Sequence, residues 1–395
     1  MEKKRYIFFP SLSSGNSKDW LIKNKPMKSG ITSRFYCDTY PEEYRHKYFL
    51  LSAGHNLSNE TLRQDMGLGK DSFVMGDSGG YQICTGAMKW KPETKHRIMT
   101  WLENNADISI NLDIPPRGKM FGYDEAISTS YENFKYFSEN RLGKTMFLNV
   151  LQGSNQGEMD TWYHKMKDFQ FDGWSIGGMG GNVYGIMYAF ALFLHNKELD
   201  KTHNKYVHIL GASSVQDFWF FSVLQKFLNQ RFDSRIQLTT DSSSSNRATI
   251  FGSWFYDINW KTMKQITNYF GNKGKTDYNL DNPLPCRLNC PACVDVTYAD
   301  IEPYDSQTYI QMTNHNLAFQ TNAIDNLNKL VDSHEEMIKE VCGRDYMTLY
   351  NCIKSVVLSE NPIHEFFKYE QVFLKYGNMA KTQSNDTVKN EIFQF

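Results

Sequence analysis

The chain has 395 residues, with 43 Lys+Arg against 44 Asp+Glu, 41% hydrophobic and 15% aromatic residues, a composition that supplies a large core and excludes global disorder. Its longest apolar stretch, Tyr188 to Leu194, falls far short of the roughly 20 residues a membrane span needs, so no membrane partner is expected. A formal net charge of −1 gives no general attraction to phosphate backbones, so any nucleic-acid surface must be local, at Lys18/Lys23/Lys25/Lys28 or at Lys261/Lys264 with Lys273/Lys275.

At the start, Ile7-Phe8-Phe9-Pro10 is too short for the apolar core of a secretory signal, and a cytoplasmic location is expected. Short β-branched or aromatic runs then recur, each ending in a polar residue or glycine. They are Lys47–Ser52, Phe73–Asp77, Ile108–Asp113, Thr145–Gln152, Gly173–Gly178, Tyr206–Gly211 and Ile236–Asp241. One strand plus a crossover helix separates each start from the next, as in a parallel sheet. Pro92 opens a helical segment with Ile98, Trp101 and Leu102, and Ser214 is placed to cap Val215 to Leu228. No Gly-x-Gly-x-x-Gly follows the first strand, which favours a closed (β/α)8 TIM barrel over a dinucleotide-binding sheet. The eighth strand has no clear place.

From about Asp277 the β/α period gives way to a Pro- and Cys-containing loop and then a predicted helix, Tyr309 to Leu327. Residues 324–377 read as helical, with Ile324, Leu327, Leu330 and Val331 at helical spacing, and Lys381 to Asn390 as a polar tail. The expected units are a catalytic barrel over 1–276, a metal-binding subdomain packed on it over 277–330, and a helical extension with a polar tail over 331–395.

In a parallel barrel, the catalytic groups gather at the carboxyl ends of the strands. Those ends carry Asp77, Asp113, Gln152, Gly177/Gly178, Gly211 and Asp241. Three acids, an amide and glycine backbone suit a neutral, hydrogen-bonding heterocycle better than an anion. Guanine fits: carboxylates accept from N1–H and N2–H₂, while an amide or a glycine N–H serves O6.

Here the sequence resembles the tRNA-guanine transglycosylases and their relatives that insert 7-deazaguanines into DNA. The resemblance rests on Gly76-Asp77-Ser78-Gly79-Gly80-Tyr81-Gln82, Leu151-Gln152-Gly153, Ile176-Gly177-Gly178-Met179, His208-Ile-Leu-Gly211, Asp241, and Cys286…Cys290-Pro-Ala-Cys293…His315-Asn316-Leu317, in family order. It implies base exchange at a nucleoside through a covalent glycosyl-enzyme, in a bacterial cell or a virus-infected bacterial host. Asp241 would be the nucleophile and Asp77 the general acid/base. Asp113 and Gln152 would hold the base edge, Gly178 and Met179 its other edge and face, and Tyr81 its ring, with Ser78 and Gly177 completing the pocket.

Cys-x₃-Cys-x₂-Cys with His315 placed 22 residues beyond Cys293 supplies four N/S ligands, the closed set of a structural Zn²⁺. The histidine is expected at the start of a helix. The family's usual first spacing is Cys-x-Cys, which makes Cys286 the odd ligand.

Bacterial tRNA-acting members follow the nucleophile with Pro-Thr-Arg; here Asp241 is followed by Ser-Ser-Ser-Ser-Asn-Arg247. With a tail short beside archaeal-type RNA-binding extensions, this resembles the DNA-modifying branch, and Ser243, Ser244 and Arg247 are expected at the polymer backbone. The partners expected are DNA, with tRNA as the alternative, a 7-deazaguanine base and a second copy in a homodimer. Two other classes compete: a non-catalytic binding subunit, against which both Asp77 and Asp241 speak, and a metal-dependent barrel hydrolase, for which only His208 lies near a strand end.

Overall fold

The computed structural model describes residues 3–12, 26–32, 34–116, 121–269, 279–302 and 305–377. Lys18, Lys23, Lys25, Lys273, Lys275 and the segment Lys381 to Asn390 lie outside the described residues. Eight parallel strands make one sheet: β1 (Ile7–Pro10), β2 (Tyr48–Ser52), β3 (Phe73–Asp77), β4 (Ile108–Ile110), β5 (Met146–Leu151), β6 (Gly173–Ile176), β7 (Tyr206–Ile209) and β8 (Gln237–Ser242). Their order is β1-β8-β7-β6-β5-β4-β3-β2, and the two ends of that order meet where Ser11 bridges Leu50 and the Leu12 N–H donates to Leu50 O at 3.0 Å. That contact all but completes the ring, and the fold is the expected (β/α)8 barrel with added helices.

The strand missing from the sequence reading is β1. It has four residues, ends in Pro10 and is followed by no crossover helix among the described residues, so neither periodicity nor spacing marks it. Pairing alone defines it, through Phe9 opposite Asp241 and Pro10 opposite Ser242. Phe9, Tyr48, Phe73 and Tyr206, from four different strands, pack ring on ring with centroids 5.6 to 6.4 Å apart. Strands as far round the ring as β3 and β7 meet only inside it, so this aromatic layer fills the barrel floor beneath the polar strand ends.

We number the helices of seven or more residues α1 (Thr94–Asn105), α2 (Tyr123–Asn140), α3 (Gln156–Met166), α4 (Val183–His195), α5 (Val215–Phe232), α6 (Ser244–Ile250), α7 (Ser306–Asp332), α8 (Glu335–Leu358) and α9 (Pro362–Lys368). Ser214 caps α5 as expected, in a reciprocal box with Asp217. Helix α4 is apolar all round and buried from Val183 to Leu194, which a helix on the rim of a simple barrel would not be. Its cover comes from the far end of the chain: Phe366 of α9 lies 5.2 and 5.4 Å from the Tyr184 and Tyr188 rings, and the Tyr184 hydroxyl donates to Glu370 at 2.8 Å. Helix α8, kinked at Gly343, does the same for α5 through Tyr350 against Phe227 at 5.0 Å.

Helix α7 packs on α5, accepts Lys226 Nζ at Val331 O (2.6 Å) and reaches Tyr6 O through Asn328 Nδ2 (3.5 Å), so it holds the place of the eighth barrel helix. It runs without a break across residue 330, where the sequence reading divides two units. Between β8 and α7 the chain inserts α6, an antiparallel hairpin of β9 (Ser253–Asn259) and β10 (Lys264–Tyr269), and the cysteine loop. The hairpin has no counterpart in the sequence reading, because β10 has no buried residue and is mostly polar. No described helix is long and apolar enough to cross a membrane.

Candidate active site and metal centre

The polar strand ends converge at one mouth of the barrel. Asp77 closes β3; its Oδ2 accepts from Ser52 Oγ at 2.6 Å and its Oδ1 from the Gly79 N–H at 3.2 Å. Burial pushes its carboxyl up, the two hydrogen bonds pull against that, and the charge of Asp241 adds to the rise. Asp113 lies three residues beyond β4, buried, with Oδ2 accepting from Gln152 Nε2 at 2.7 Å. Burial pushes it up to about 7, opposed by the Gln152 bond and assisted by the charge of Asp77. The charge of Asp241 thus acts on Asp77 and that of Asp77 on Asp113, which links the three acids through Asp77.

Asp241, on β8, is anchored through one oxygen. Oδ1 accepts from the Gly211 N–H at 2.9 Å and from His208 Nε2 at 3.2 Å. Oδ2 has no hydrogen bond among the described residues.

Two glycines at the mouth lie too close to their neighbours to carry a side chain. A Cβ on Gly80 would stand 2.0 Å from Asp113 O, and one on Gly177 would stand 2.2 Å from Gln152 Nε2, so neither position tolerates a side chain with its neighbour in place. Gln152 Oε1 is buried with no partner, an acceptor facing nothing the described chain provides. Tyr81 stands 58% exposed on the short helix Gly80–Cys84, available to a ligand rather than to the core. Met179 is buried beside Gly178, which has φ +73°. Ser78 is different: its hydroxyl donates to Asn111 O at 3.1 Å, so it ties two strand ends together instead of facing the mouth.

No protein-family model matches this chain, and no curated protein matches it. What the site can do is therefore read from its geometry.

The segment after Asp241 is mostly engaged within the fold. Ser243 holds the N-cap position of α6 without a side-chain capping hydrogen bond, Ser244 accepts from Gln320 Nε2 of α7 at 2.7 Å, and Ser245 is buried. The serine run is mostly the packed start of a helix, leaving Ser243 half-buried and Arg247 exposed. Lys28 is likewise engaged, paired with Asp305 at 2.9 Å. Lys261 and Lys264, at the turn of the β9–β10 hairpin, are exposed.

Sequence reasoning missed Ser52 and gave His208 no part at this site. Ser52 ends a strand run as visibly as Asp77 does, and the strand-end rule picks it out once hydroxyls are counted with acids. His208 lies within its strand, and only the inward register reveals it.

The second constellation is Cys286, Cys290, Cys293 and His315, whose ligand atoms all lie within 4.8 Å of one another. Cys290 and Cys293 are 3.1 Å apart at sulfur, and His315 Nδ1 lies 3.1 Å from Cys293 and 3.6 Å from Cys286. Donors around a tetrahedral ion with metal–sulfur bonds of about 2.3 Å stand about 3.7 Å apart, a spacing that the cluster brackets, with contacts from 3.1 Å and all four ligand atoms within 4.8 Å. All four residues fit a metal, the odd-spaced Cys286 included. His315 Nε2 faces Phe255 O at 2.7 Å, which puts the proton there and turns the Nδ1 lone pair to the thiols. Its ring stacks on Trp254 at 3.7 Å and 9°. The buried Tyr40 hydroxyl has no hydrogen-bond partner among the described residues and lies near Cys290 and Cys293, a donor placed for thiolates. His315 is the tenth residue of α7, not near its start as expected, because the helix begins upstream at the Asp305 cap.

Proposed function

We propose that this chain is a guanine transglycosylase that exchanges guanine in DNA for a 7-deazaguanine through a covalent glycosyl-aspartate. The observation that carries the reading is the convergence of Asp77, Asp113 and Asp241 from three strands, with Asp241 tethered through one oxygen only.

In this reading, the Asp241 Oδ2 lone pair bonds to C1′ as the C1′–N9 pair leaves with guanine, and Asp77 gives its proton to the departing ring. The raised affinity of Asp77 for a proton suits that task. The incoming base then returns a proton to Asp77 and its nitrogen bonds to C1′ as the C1′–Oδ2 pair goes back to Asp241. Two displacements at one carbon retain configuration, as in retaining glycosidases. Asp113 accepts from N1–H and N2–H₂, the Gln152 amide and the Gly178 N–H address the remaining polar edge, and Tyr81 covers the ring. The reacting nucleoside must leave its stack, because C1′ is shielded in a closed duplex. Arg247 and Ser243, a few residues beyond Asp241 in the chain, would meet the polymer backbone, with the exposed Lys261 and Lys264 as further candidates.

The metal of the Cys₃His cluster is assigned as zinc. Cys286, Cys290, Cys293 and His315 would hold it with a closed set of four ligands, so it would join the cysteine loop to α7 and supply structure rather than chemistry.

Denaturing gels of the protein incubated with guanosine-containing single-stranded DNA, and separately with tRNA, test the proposal. A covalent adduct with DNA is expected, absent in Asp241→Asn, whose guanine exchange falls by at least about 10³-fold. An adduct with tRNA alone overturns the choice of DNA; no adduct with either overturns the transglycosylase reading.

A further inference from the structure

Directly beneath Asp241, inside the barrel, lies a fully buried histidine that the exchange reaction as written above does not use. His208 Nε2 meets Asp241 Oδ1 at 3.2 Å and its Nδ1 meets Thr239 Oγ1 at 2.8 Å. Thr239 is two residues before Asp241 on the same strand, so the imidazole spans the two inward-facing positions below the mouth. Phe9 closes the ring from the side, edge-on at 6.4 Å and 80°. The ionised Asp241 Oδ1 can only accept, which puts the imidazole proton on Nε2 and leaves Nδ1 to accept from the Thr239 hydroxyl.

Resting on the transglycosylase reading, we propose that His208 is a positioning residue for Asp241 which selects the attacking oxygen and promotes release of the covalent intermediate. With His208 and the Gly211 N–H both on Oδ1, the carboxyl cannot swing, and Oδ2 alone is presented to C1′. The same donors act unequally on the two displacements. A hydrogen bond to a carboxylate is stronger than one to an ester carbonyl. His208 therefore favours the state in which Asp241 carries its negative charge. In the first displacement Asp241 spends that charge on the C1′–Oδ2 bond. In the second, the incoming base loses its proton to Asp77, its nitrogen pair bonds to C1′, and the C1′–Oδ2 pair returns to Asp241, where Nε2–H receives the restored charge. Removing the donor slows the second step selectively.

The test compares wild type, His208→Phe, His208→Gln and Thr239→Val. Two quantities are measured with guanosine-containing DNA and tRNA: exchange of radiolabelled guanine, and the fraction of protein trapped as adduct during turnover. His208→Phe keeps the ring volume beside Phe9 and is expected to slow exchange roughly tenfold while the trapped fraction rises, the size expected for one lost hydrogen bond to a charged group. His208→Gln, whose amide can donate to Asp241 and accept from Thr239, restores most of the exchange. Thr239→Val frees the tautomer and carries the test if His208→Phe does not fold; it moves both readouts in the same directions by a smaller factor. If exchange and trapped fraction fall together in His208→Phe, or in Thr239→Val where that variant carries the test, His208 is merely structural and the inference is overturned, while the wild-type adduct still upholds the parent reading. If wild type forms no adduct with either polymer, the parent reading fails and this one with it.

Discussion

The barrel mouth and the Cys₃His cluster both gather polar side chains from distant parts of the chain, and they differ in what is left over. At the mouth, each acid has chain-supplied hydrogen bonds, yet Asp241 Oδ2 and Gln152 Oε1 keep unused acceptor capacity. In the Cys₃His cluster, three sulfurs and one nitrogen lie within reach of a common centre that could hold a metal ion. On the proposed reading, the spare acceptors at the mouth would meet a substrate, while the second cluster would hold an ion that serves only folding.

That contrast can be broken most severely at the metal. Refolding in the presence of a chelator, or the substitution Cys293→Ala, is expected to lower stability by more than about 4 kcal/mol and to undock α7, read by thermal unfolding and by the loss of one equivalent of zinc in elemental analysis. A stable, metal-free protein with a normal unfolding temperature would show that the two sites do not differ as argued.

At the mouth, Asp113 makes the next largest difference. Its carboxyl sits at about 7 in the folded chain against an ordinary 3.8, so the native state holds the extra proton between those values. Stability therefore falls as pH rises through that window, and is not penalised below it. Asp113→Asn removes the slope: at pH 8 it is expected to be about 2–4 kcal/mol more stable than wild type, at pH 4 equal to it, while binding guanine at least tenfold more weakly, roughly one lost hydrogen bond. Urea titrations at the two pH values and guanine binding by calorimetry check both halves.

Ser52→Ala sharpens the comparison by the smallest step. The Ser52 hydroxyl holds the Asp77 carboxyl down, so its loss lets Asp77 rise further. The alkaline limb of the pH profile for guanine release is expected to move up by roughly one pH unit, with little change in unfolding temperature. A downward or absent shift would detach Asp77 from the proton transfer assigned to it.

Much of this was legible in the chain. After the first strand, each apolar run is closed by a polar residue or glycine at or just beyond the strand end, so Asp77, Gln152, Gly177 and Asp241 declare their place on the barrel rim. The cysteine spacing points to the cluster that could hold a metal. What stayed hidden depends on pairing and cover. β1 is too short to show a period and exists because β8 lies beside it. The β9–β10 hairpin has a mostly polar second strand. His208 looks like any strand residue until the register places it under Asp241. The uniformly apolar face of α4 says that something covers it, and only the fold says that α9 does.

The short first strand has one more consequence. Because β1 pairs with β8, with Phe9 opposite Asp241, the first and last strands of the sheet form its seam. On the ribosome, seven strands are made before Asp241 emerges, so the pairing that closes the ring also brings the third acid to the mouth.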